Sequence, residues 1–534
     1  MSLEREKECL QILDHLQHPN IVKLLASFSH CGEHHFLFPL LQIDLDIFLQ
    51  LRERFGEYKK DFTFYIALEG LSSALEKVHS LNLSGRNHDA ELGRIGYHHD
   101  LRPGNVLVDS RTFYLADFGL ARLRPEDMGS RTRWKVGLGD YVPPECSGEQ
   151  LICDDIGRTM DIWSFGCMIS EIAAYIECGP DGVSGFRKQR FGAATRPNMN
   201  DRYFFSGKDL RPQVISWFEK FKTRSEGSVL HNLLKIAGLM LKIDPIERPK
   251  AAKVHQQLLY LSVKSLYDAV QQALTRYLQA SDDQGDFGPA VPMIRFQNAR
   301  FAAWGKVVQL IESRPSADAI EAISNQGEYI RHILTNVLEI VGEMMVDEAT
   351  PTSAIAVSIR KPFHEELKEL VEKLWKSHPA GHQENIEDYC EDSALHDILS
   401  NNRKGRCNGK DVVVECDSPK AKWNEISRSQ RAEDHRAHPR SEVRSSLKFV
   451  PKMASVGNGN DSIKLCYKPE LGHEIGSGGF GVVFLAQIQR SGMPRPELCA
   501  AKRISKANHT FPRQKYEREI ANFARLLEVF HYRN

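Results

Sequence analysis

Apolar positions recur at two different spacings within residues 1–265. One helix face is indicated by four apolar residues three or four positions apart, Leu68, Leu71, Leu75 and Val78. Two short apolar runs, 105–108 (NVLV) and 113–116 (FYLA), lie between turn-forming residues, which is typical of strands. These patterns predict an α+β region that is mainly helical.

A purely helical pattern follows in residues 266–400. Two apolar stripes have helical spacing there: Ile330, Ile333, Leu334, Val337, Leu338 and Val341 form the first, and Leu367, Leu370, Val371, Leu374 and Trp375 form the second. Stripes of this kind are typical of helices that pack against one another. We therefore interpret the region as a helical packing unit without chemistry of its own.

The last part of the chain divides into a polar stretch and a second strand-like stretch. Residues 401–462 are poor in apolar side chains, and residues 401–450 carry twelve basic against seven acidic ones. This composition predicts a flexible linker, with binding to an acidic partner as the alternative. Residues 463–534 regain strand-like runs at 482–486 (VVFLA) and 498–502 (LCAAK), followed by a helical run, and we expect a small sheet-plus-helix unit.

Charge and cysteine content narrow the range of partners and compartments. The chain of 534 residues has 70 basic and 70 acidic side chains, so no overall field favours nucleic acid as a partner. Its 11 cysteines include no C-x-x-C pair, which favours reduced thiols and a cytoplasmic protein, with the nucleus as the alternative. The amino terminus is charged and no run of 18 apolar residues occurs, so we expect neither secretion nor a membrane span.

Candidate chemistry begins with the segment Tyr97–Asn105 (YHHDLRPGN). An Asp placed five residues before an Asn suits phosphoryl transfer, because Asp100 would orient a substrate hydroxyl and accept its proton. Asn105 and Asp117 would offer oxygen ligands to Mg²⁺, which prefers them. Arg102 lies between these groups and would steady the transferring phosphoryl group. Each residue alone is equally typical of an ordinary loop or turn.

Four further motifs follow this loop in order: Asp117–Gly119 (DFG), Gly137–Glu145 (GLGDYVPPE), Asp161–Gly166 (DIWSFG) and Asp244–Pro249 (DPIERP). The ordered set resembles the protein kinase superfamily from its catalytic loop to the end of its helical lobe. The resemblance implies an α+β, bilobal kinase fold. It also implies that Glu145 and Arg248 form a buried ion pair and that Asp161 anchors the backbone of the catalytic loop.

The resemblance extends towards the amino terminus. Residues 18–25 (HPNIVKLL) and 36–41 (FLFPLL) are similar to the two strands that precede the hinge between kinase lobes. Residues 4–17 would then be the helix that supplies a carboxylate partner for the ATP-site lysine. Glu8 is the preferred partner and Glu6 the alternative.

The phosphate-binding residues of such a kinase occur at the far end of the chain. The motif G-x-G-x-x-G-x-V is matched by Ile475, Gly476, Gly478, Gly481 and Val483, and such glycines let backbone N–H groups approach phosphates. A dinucleotide-binding turn is the alternative, but it should open a helix, whereas a strand pattern follows here. In the kinase resemblance, Lys502 contacts the α- and β-phosphates and Glu519 is its partner acid.

The resemblance covers about 340 of the 534 residues, but the order of its parts is rearranged. The expected fold is therefore kinase-like in two separated pieces, 1–265 and 463–534, with a helical region at 266–400 and a linker at 401–462 between them. Residues 4–17 and 515–528 both resemble the same kinase helix. Either two truncated kinases are joined in tandem, which we favour, or the terminal strands fold back to complete the first lobe. Association between chains is a further form of the second alternative.

The expected function is that of a protein kinase that uses ATP and Mg²⁺ to phosphorylate serine or threonine hydroxyls of a protein substrate. Arg102 replaces the usual lysine of serine/threonine kinases and keeps its charge, whereas tyrosine kinases differ more at this loop. His99 and Leu138 depart from the family pattern, which weakens the expectation of catalysis. The alternative is a pseudokinase scaffold, or a truncated tandem kinase, without activity.

Overall fold

The computed structural model describes residues 18–30, 33–83, 92–118, 121–125, 139–146, 157–191, 202–222, 227–284, 290–312, 314–347, 362–377, 453–456, 463–467, 474–478, 481–490 and 497–504. They fall into two compact units. The described residues within 18–25 and 41–377 form the helical unit, and those within 26–40 and 453–504 form the strand unit.

The described helices are α1 (Leu45–Phe48), α2 (Phe62–His79), α3 (Arg158–Phe191), α4 (Pro212–Lys222), α5 (Val229–Met240), α6 (Ala251–Gln284), α7 (Ala290–Val307), α8 (Ala317–Asp347) and α9 (Phe363–Ser377). The described strands are β1 (Ala26–His30), β2 (Glu33–Pro39), β3 (Ile43–Asp44), β4 (Leu81–Leu83), β5 (Leu92–Tyr97), β6 (Val106–Asp109), β7 (Thr112–Leu115), β8 (Arg122–Pro125), β9 (Phe205–Ser206), β10 (Asp209–Leu210), β11 (Met453–Val456), β12 (Ile463–Tyr467), β13 (Glu474–Gly478), β14 (Gly481–Arg490) and β15 (Glu497–Ile504). This mixture of helices and small sheets confirms the α+β class.

The sheet of the strand unit joins segments from the two ends of the chain. Its strand order is β1-β2-β15-β14-β12-β11, with β13 paired to β14. β15 pairs antiparallel with β2, in a register that places Lys502 opposite Phe36 and Cys499 opposite Pro39. This pairing is the arrangement that the fold-back alternative requires, and it differs from the truncated tandem that the sequence led us to favour.

The core of the helical unit forms around α2. The four residues of the predicted stripe, Leu68, Leu71, Leu75 and Val78, are all buried, so the helical prediction is confirmed. The predicted strands at 105–108 and 113–116 are also confirmed, as β6 and β7, which pair with each other. Gly70 allows close packing on this helix, because a Cβ there would lie 2.3 Å from the Asn20 side-chain nitrogen.

The strand predicted at residues 18–25 is wrong, because β1 begins only at Ala26. Residues 18–25 are held instead by β7 and α2. The side-chain amide nitrogen of Asn20 donates to Phe113 O at 3.0 Å, and the His18 ring contacts Ser73 Oγ at 3.1 Å. The apolar run at 36–41 overlaps β2, as expected.

Helix α3 is broken once. Gly179 has φ of +63°, in the left-handed region that favours glycine, and Pro180 follows it. The chain therefore turns inside the range Arg158–Phe191, and the segment after the break returns Arg187 and Arg190 towards the first half, where both contact Glu171.

The helices beyond residue 265 pack on the rest of the helical unit rather than standing apart. α6 contacts both α2 and α8, and it continues without a break through residue 265, where the sequence predicted a boundary. His255 of α6 contacts Glu69 at 3.0 Å and Glu76 at 2.5 Å, both on α2, and Arg331 of α8 pairs with Glu69. Both apolar stripes predicted in this region lie on helices, α8 and α9.

Two further predictions concern the linker and the absence of a membrane-spanning helix. Most of the predicted linker 401–462 lies outside the described residues, although β11 falls within it. Among the residues that the structure describes, no helix is long and apolar enough to cross a membrane.

Candidate functional site

The proposed catalytic loop follows β5 in the helical unit. Asn105 fixes Asp100, because the Asn105 amide nitrogen donates to the backbone oxygen of Asp100 at 2.7 Å and to its Oδ2 at 2.8 Å. The Asp100 side chain keeps 20% of its surface exposed. One carboxylate oxygen is therefore held in place while the group stays within reach of a reactant.

Asp161 holds the backbone of this loop from within α3. Its two carboxylate oxygens accept hydrogen bonds from the backbone N–H groups of His98 and His99, both at 2.8 Å. Burial alone would raise the pKa of Asp161, but the hydrogen bond with His79 at 2.9 Å and the nearby imidazoles hold it below its usual value. The anchoring role that the resemblance implied for Asp161 is therefore observed. His79 also belongs to this hydrogen-bond network, which the sequence analysis did not predict.

Asn105 and Asp117 are brought together by the backbone. The N–H of Ala116 donates to the carbonyl oxygen of Asn105 at 3.0 Å, which places the next residue, Asp117, beside the loop. Asp117 has φ of +58°, a left-handed conformation that is costly for a residue with a side chain and is often found at functional sites. Because the Asn105 nitrogen is used by Asp100, its amide oxygen remains for another group.

Arg102 lies beside Asp100 at the edge of this arrangement. Its Nε is 3.6 Å from Asp100 Oδ2, and 43% of its side chain is exposed. An exposed pair at this separation contributes little stability, about 0–1 kcal/mol. Arg102 is therefore able to move towards an anion without a large loss of stability.

The ion pair predicted between Glu145 and Arg248 is present. Arg248 Nη1 and Nη2 donate to the two carboxylate oxygens of Glu145 at 2.6 and 2.8 Å, which is a bidentate contact. The Arg248 side chain is fully buried, and three backbone carbonyl groups also accept from it, those of Thr159, Lys242 and Ile243. Arg248 thus joins the GLGDYVPPE segment to the residues around α3 and α6.

A second buried network near this segment gave no signal in the sequence. Glu171 of α3 accepts from Tyr141 Oη at 2.9 Å, from Arg187 at 2.6 Å and from Arg190 at 3.0 Å. Burial would raise the pKa of Glu171, but Arg190 and Arg187 hold it below its usual value. The return of the chain at Gly179 creates this cluster, and no short motif marks such a turn.

His99 occupies an unusual position in the loop. Its φ is +67°, its side chain is buried, and its ring stacks on Tyr97 with 4.0 Å between ring centroids. The His99 ring is therefore packed inside the protein against Tyr97. Leu138, the other departure noted in the sequence, lies outside the described residues.

The glycine-rich segment lies in two paired strands of the strand unit, and the glycines that face each other at the ends of these strands, Gly478 and Gly481, are called the glycine turn below. β13 and β14 pair antiparallel, with Gly478 opposite Gly481 and Gly476 opposite Val483, and a bulge lies between Glu474 and Gly476. Ile475 is at this bulge and is 44% exposed. A strand rather than a helix follows the glycines, so the geometry is not that of a dinucleotide-binding turn.

Lys502 occupies the middle of the same sheet. It lies opposite Val483 on β14 and opposite Phe36 on β2, and directly opposed residues of antiparallel strands project from the same face. Only 8% of Lys502 is exposed. The structure therefore groups Lys502 with Val483 and the glycine turn, although 466 sequence positions separate Lys502 from Phe36.

The candidate residues therefore form two groups, each within one unit. Asp100, Arg102, Asn105 and Asp117 meet in the helical unit, and the glycine turn, Val483 and Lys502 meet in the strand unit. The candidate acids Glu519, Glu8 and Glu6 lie outside the described residues. No group of three or more His, Cys, Asp or Glu side chains that could hold a metal occurs in the described part of the chain.

Comparisons with known proteins identify a family that part of the chain resembles. Residues 3–259 match the family model of the protein kinase domain. Mouse 3-phosphoinositide-dependent protein kinase 1 is 24% identical over 352 residues, which cover 64% of this chain and 55% of that protein. The human protein of the same name is 25% identical over 288 residues, or 53% of this chain and 44% of that protein.

A second group of kinases is similar over a shorter segment. Mitogen-activated protein kinase 14 of Arabidopsis thaliana is 28% identical over 171 residues, which cover 30% of this chain and 40% of that protein. The chain spans about half the length of the phosphoinositide-dependent kinases that it matches. The family match, the anchored loop and the bidentate ion pair point the same way: residues 3–259 resemble a protein kinase domain.

Proposed function

We propose that this chain is a serine/threonine protein kinase that transfers the γ-phosphate of ATP to hydroxyl groups of a protein substrate. The observation that carries the proposal is the position of Asp100, held by Asn105 at 2.8 Å on a loop that Asp161 anchors from a buried position. A carboxylate fixed in this way is suited to receive a proton from a hydroxyl.

Asp100 has the central role in the proposed reaction. Asn105 occupies its Oδ2, so the other oxygen is the one that faces an incoming substrate hydroxyl and accepts its proton. Arg102, which is half exposed beside Asp100, stabilises negative charge on the phosphoryl group during transfer. In this proposal Asp100 accepts the proton and Arg102 stabilises the negative charge.

The donor set around Asn105 fits a hard divalent cation. The Asn105 amide oxygen and the Asp117 carboxylate would hold Mg²⁺, since both are oxygen ligands on adjacent segments. Mg²⁺ neutralises charge on the ATP phosphates when it is bound. Asn105 thus has two tasks: its nitrogen orients Asp100 and its oxygen binds the metal.

The strand unit supplies the proposed nucleotide contacts. The backbone N–H groups of the glycine turn would bind phosphate oxygens, and Ile475 and Val483 would pack against the nucleotide. Lys502, which is 8% exposed and lies opposite Val483, would contact the α- and β-phosphates. Glu519 is the proposed partner of Lys502, as the kinase resemblance implies.

Serine and threonine are the proposed acceptors because the loop HHDLRPGN keeps a cation two residues after the Asp, as serine/threonine kinases do. We also propose that the protein acts in the cytoplasm, or in the nucleus, because its cysteine pattern suits a reducing compartment. A fluorescent fusion found in the secretory pathway would contradict the proposed compartment.

The direct test uses full-length protein, labelled ATP and a generic basic protein as acceptor. We expect Mg²⁺-dependent transfer to serine or threonine, and a loss of about 10²- to 10⁴-fold in Asp100→Asn, in line with the removal of a general base. Asp209→Asn, at an exposed residue outside the loop, is the matched control.

Two outcomes would reject the proposal. Retained transfer in Asp100→Asn would exclude Asp100 as the base. Absence of transfer in the unaltered protein, together with a melting temperature that ATP and Mg²⁺ do not raise, would support the pseudokinase scaffold, since a ligand bound only to the native state must stabilise it.

A further inference from the structure

The part of α3 beyond its break, residues 181–191, carries Arg187, whose side chain contacts three separate segments. Arg187 Nη2 donates to Glu171 Oε2 at 2.6 Å, on the first part of α3, and to Asp46 Oδ1 at 2.8 Å, on α1. It also lies 3.5 Å from Tyr141 Oη. A guanidinium offers several donors in a fixed planar arrangement, so one arginine can hold more than one carboxylate. Arg187 therefore joins α1 to Tyr141 by way of α3.

The contact with Asp46 is not needed to neutralise Glu171. Glu171 is fully buried, and it also accepts from Arg190 at 3.0 Å and from Tyr141 Oη at 2.9 Å. By contrast, 44% of the Asp46 side chain and 21% of the Arg187 side chain are exposed. The Arg187–Asp46 pair therefore lies at the surface, where it links two segments without filling the core.

α1 is a neighbour of the proposed catalytic loop. This helix contacts the turn Pro103–Asn105, and β3, which leads into α1, pairs with β6, which directly follows that turn. Because α1 has only four residues, its position depends on side-chain contacts more than on its own hydrogen bonds. A displacement of α1 would therefore alter the surface beside Asp100.

Tyr141 is held next to the same loop from α3. Ser164 Oγ donates to the backbone oxygen of Tyr141 at 2.9 Å. Ser164 lies three positions after Asp161, so the two side chains share one face of the helix, with Cβ atoms roughly 5–6 Å apart. Asp161 binds the backbone of the catalytic loop. Tyr141 and the catalytic loop therefore lie side by side.

A protein substrate must contact these segments when its hydroxyl reaches Asp100. The exposed groups beside the loop include Asp46, Arg187 and Asp140, whose side chain is 28% exposed. A displacement of about 1 Å from the productive position can lower a rate by about 10²-fold. Fixing α1 relative to Tyr141 therefore bears on how the acceptor protein lies at Asp100.

We propose that Arg187 is a positioning residue for the protein substrate: it holds α1 and Tyr141 at a fixed separation and so shapes the surface on which the acceptor lies. This inference rests on the proposed kinase activity and deepens it. The residues proposed to contact ATP lie in the strand unit, so Arg187 acts on the acceptor and leaves the binding of ATP unchanged.

The first experiment measures the kinetics of transfer by the full-length protein to the basic acceptor protein. Arg187→Met removes the donors, and Asp46→Asn removes the surface carboxylate. We expect kcat/KM for the acceptor to fall about tenfold in each variant, while KM for ATP changes less than about twofold. Lys188→Met and Glu53→Gln, at exposed residues, are the matched controls and should transfer normally.

Two further variants separate positioning from a general loss of structure. Arg187→Lys keeps the charge, and we expect it to recover most of the transfer, to within about threefold of the unaltered protein. The double variant Arg187→Met with Asp46→Asn should lose no more than Arg187→Met alone, because both changes remove the same contact.

The second experiment does not depend on activity. Hydrogen exchange at the backbone amides of Ile47, Leu49 and Gln50 reports on α1, since all three donate within or next to this helix. We expect exchange about threefold faster or more in Arg187→Met and no change in Lys188→Met. If the unaltered protein transfers no phosphate, the kinase proposal fails, and exchange alone decides whether Arg187 fixes α1.

Three results would overturn the positioning role. The first is an equal change in KM for ATP and for the acceptor in Arg187→Met. The second is normal transfer in Asp46→Asn, which would mean that Arg187 serves only the buried Glu171. The third is unchanged exchange of the α1 amides in Arg187→Met.

Discussion

The two groups of candidate residues are built in different ways. In the helical unit, the catalytic loop is short in sequence and depends on polar side chains that reach it from afar: Asp161 lies 63 positions from His98, and Arg248 lies 103 positions from Glu145. In the strand unit, Lys502 is placed by backbone pairing, through the register of β15 with β14 and β2.

The two groups therefore differ in how far they depend on the order of segments along the chain. A strand needs only its neighbours and the correct register, so it can come from either end of the chain if a long connection is available. A loop held by buried carboxylates needs its helices in place, and its motifs here keep their usual order. In this chain, the strand placed by pairing is β15, which joins β2 from a distant part of the sequence.

The largest expected effect comes from breaking the polar support of the helical unit. In Glu145→Gln the buried guanidinium of Arg248 loses its bidentate partner, and we expect a loss of about 3 kcal/mol in the free energy of unfolding. Denaturant unfolding measures this loss, with Glu247→Gln at the exposed Glu247 as the control. A loss below about 0.5 kcal/mol would show that the ion pair does not support the segment.

An effect of comparable size is expected from the strand unit. Lys502→Met keeps a long side chain in the sheet but removes the charge proposed to contact phosphate. We expect transfer to fall about 10²- to 10³-fold with little change in the melting temperature. Lys23→Met, at an exposed residue, is the control. Activity equal to that of the control would remove Lys502 from the nucleotide site.

A pH dependence tests the contacts between α6 and α2. Burial disfavours the charged form of His255, but hydrogen bonds with Glu69 and Glu76 outweigh burial and raise its pKa to about 9. Since the folded pKa exceeds the unfolded value of 6.5, this stabilisation is complete below pH 6.5 and is lost as the pH rises to about 9. We expect a loss of roughly 2 kcal/mol over that window, less than the full change in pKa would give, because the His255 side chain is 23% exposed to solvent.

The measurement is urea unfolding at several pH values from 6 to 9.5, with His255→Gln as the comparison. Stability of the variant should depend less on pH across the window, because the titrating group is absent. An identical slope in both proteins would mean that the His255 contacts with α2 contribute nothing.

The smallest expected effect concerns the outer helices. Glu372 of α9 pairs with Arg300 of α7 at 2.7 Å, but the Glu372 side chain is 37% exposed. We expect Glu372→Gln to cost less than about 1 kcal/mol, because exposed ion pairs are weak and the buried stripe of α9 supplies most of the packing. A larger loss, seen in thermal unfolding, would give this pair a structural role.

Much of the helical unit could be predicted from sequence because its signals are local. The stripe at Leu68–Val78 gave α2, and the ordered motifs gave the positions of Asp100, Asn105 and Asp117. The strand predicted at 18–25 was wrong because hydrogen bonds of the polar residues Asn20 and His18 hold this segment to β7 and α2, and β1 begins only at Ala26. An apolar run alone does not distinguish a strand from a packed loop.

Long-range contacts explain what the sequence could not provide. The Glu171 cluster depends on the break at Gly179, and the Glu69–His255–Arg331 contacts join three helices that are distant in sequence. The pairing of β15 with β2 was one of two alternatives, because strand patterns do not specify their partners. Which strands pair with each other is therefore seen only in the folded sheet.

The most direct test of this account is a cross-link within that sheet. Cys499 lies opposite Pro39, and opposed residues of antiparallel strands have Cα atoms at a separation that a disulfide can span. After mild oxidation of Pro39→Cys, mass spectrometry should find residues 39 and 499 joined in a protein of single-chain mass. Phe38→Cys projects from the other face and should not join Cys499. Equal cross-linking in both variants, or none in Pro39→Cys, or joined peptides only in dimers, would contradict a sheet completed within one chain.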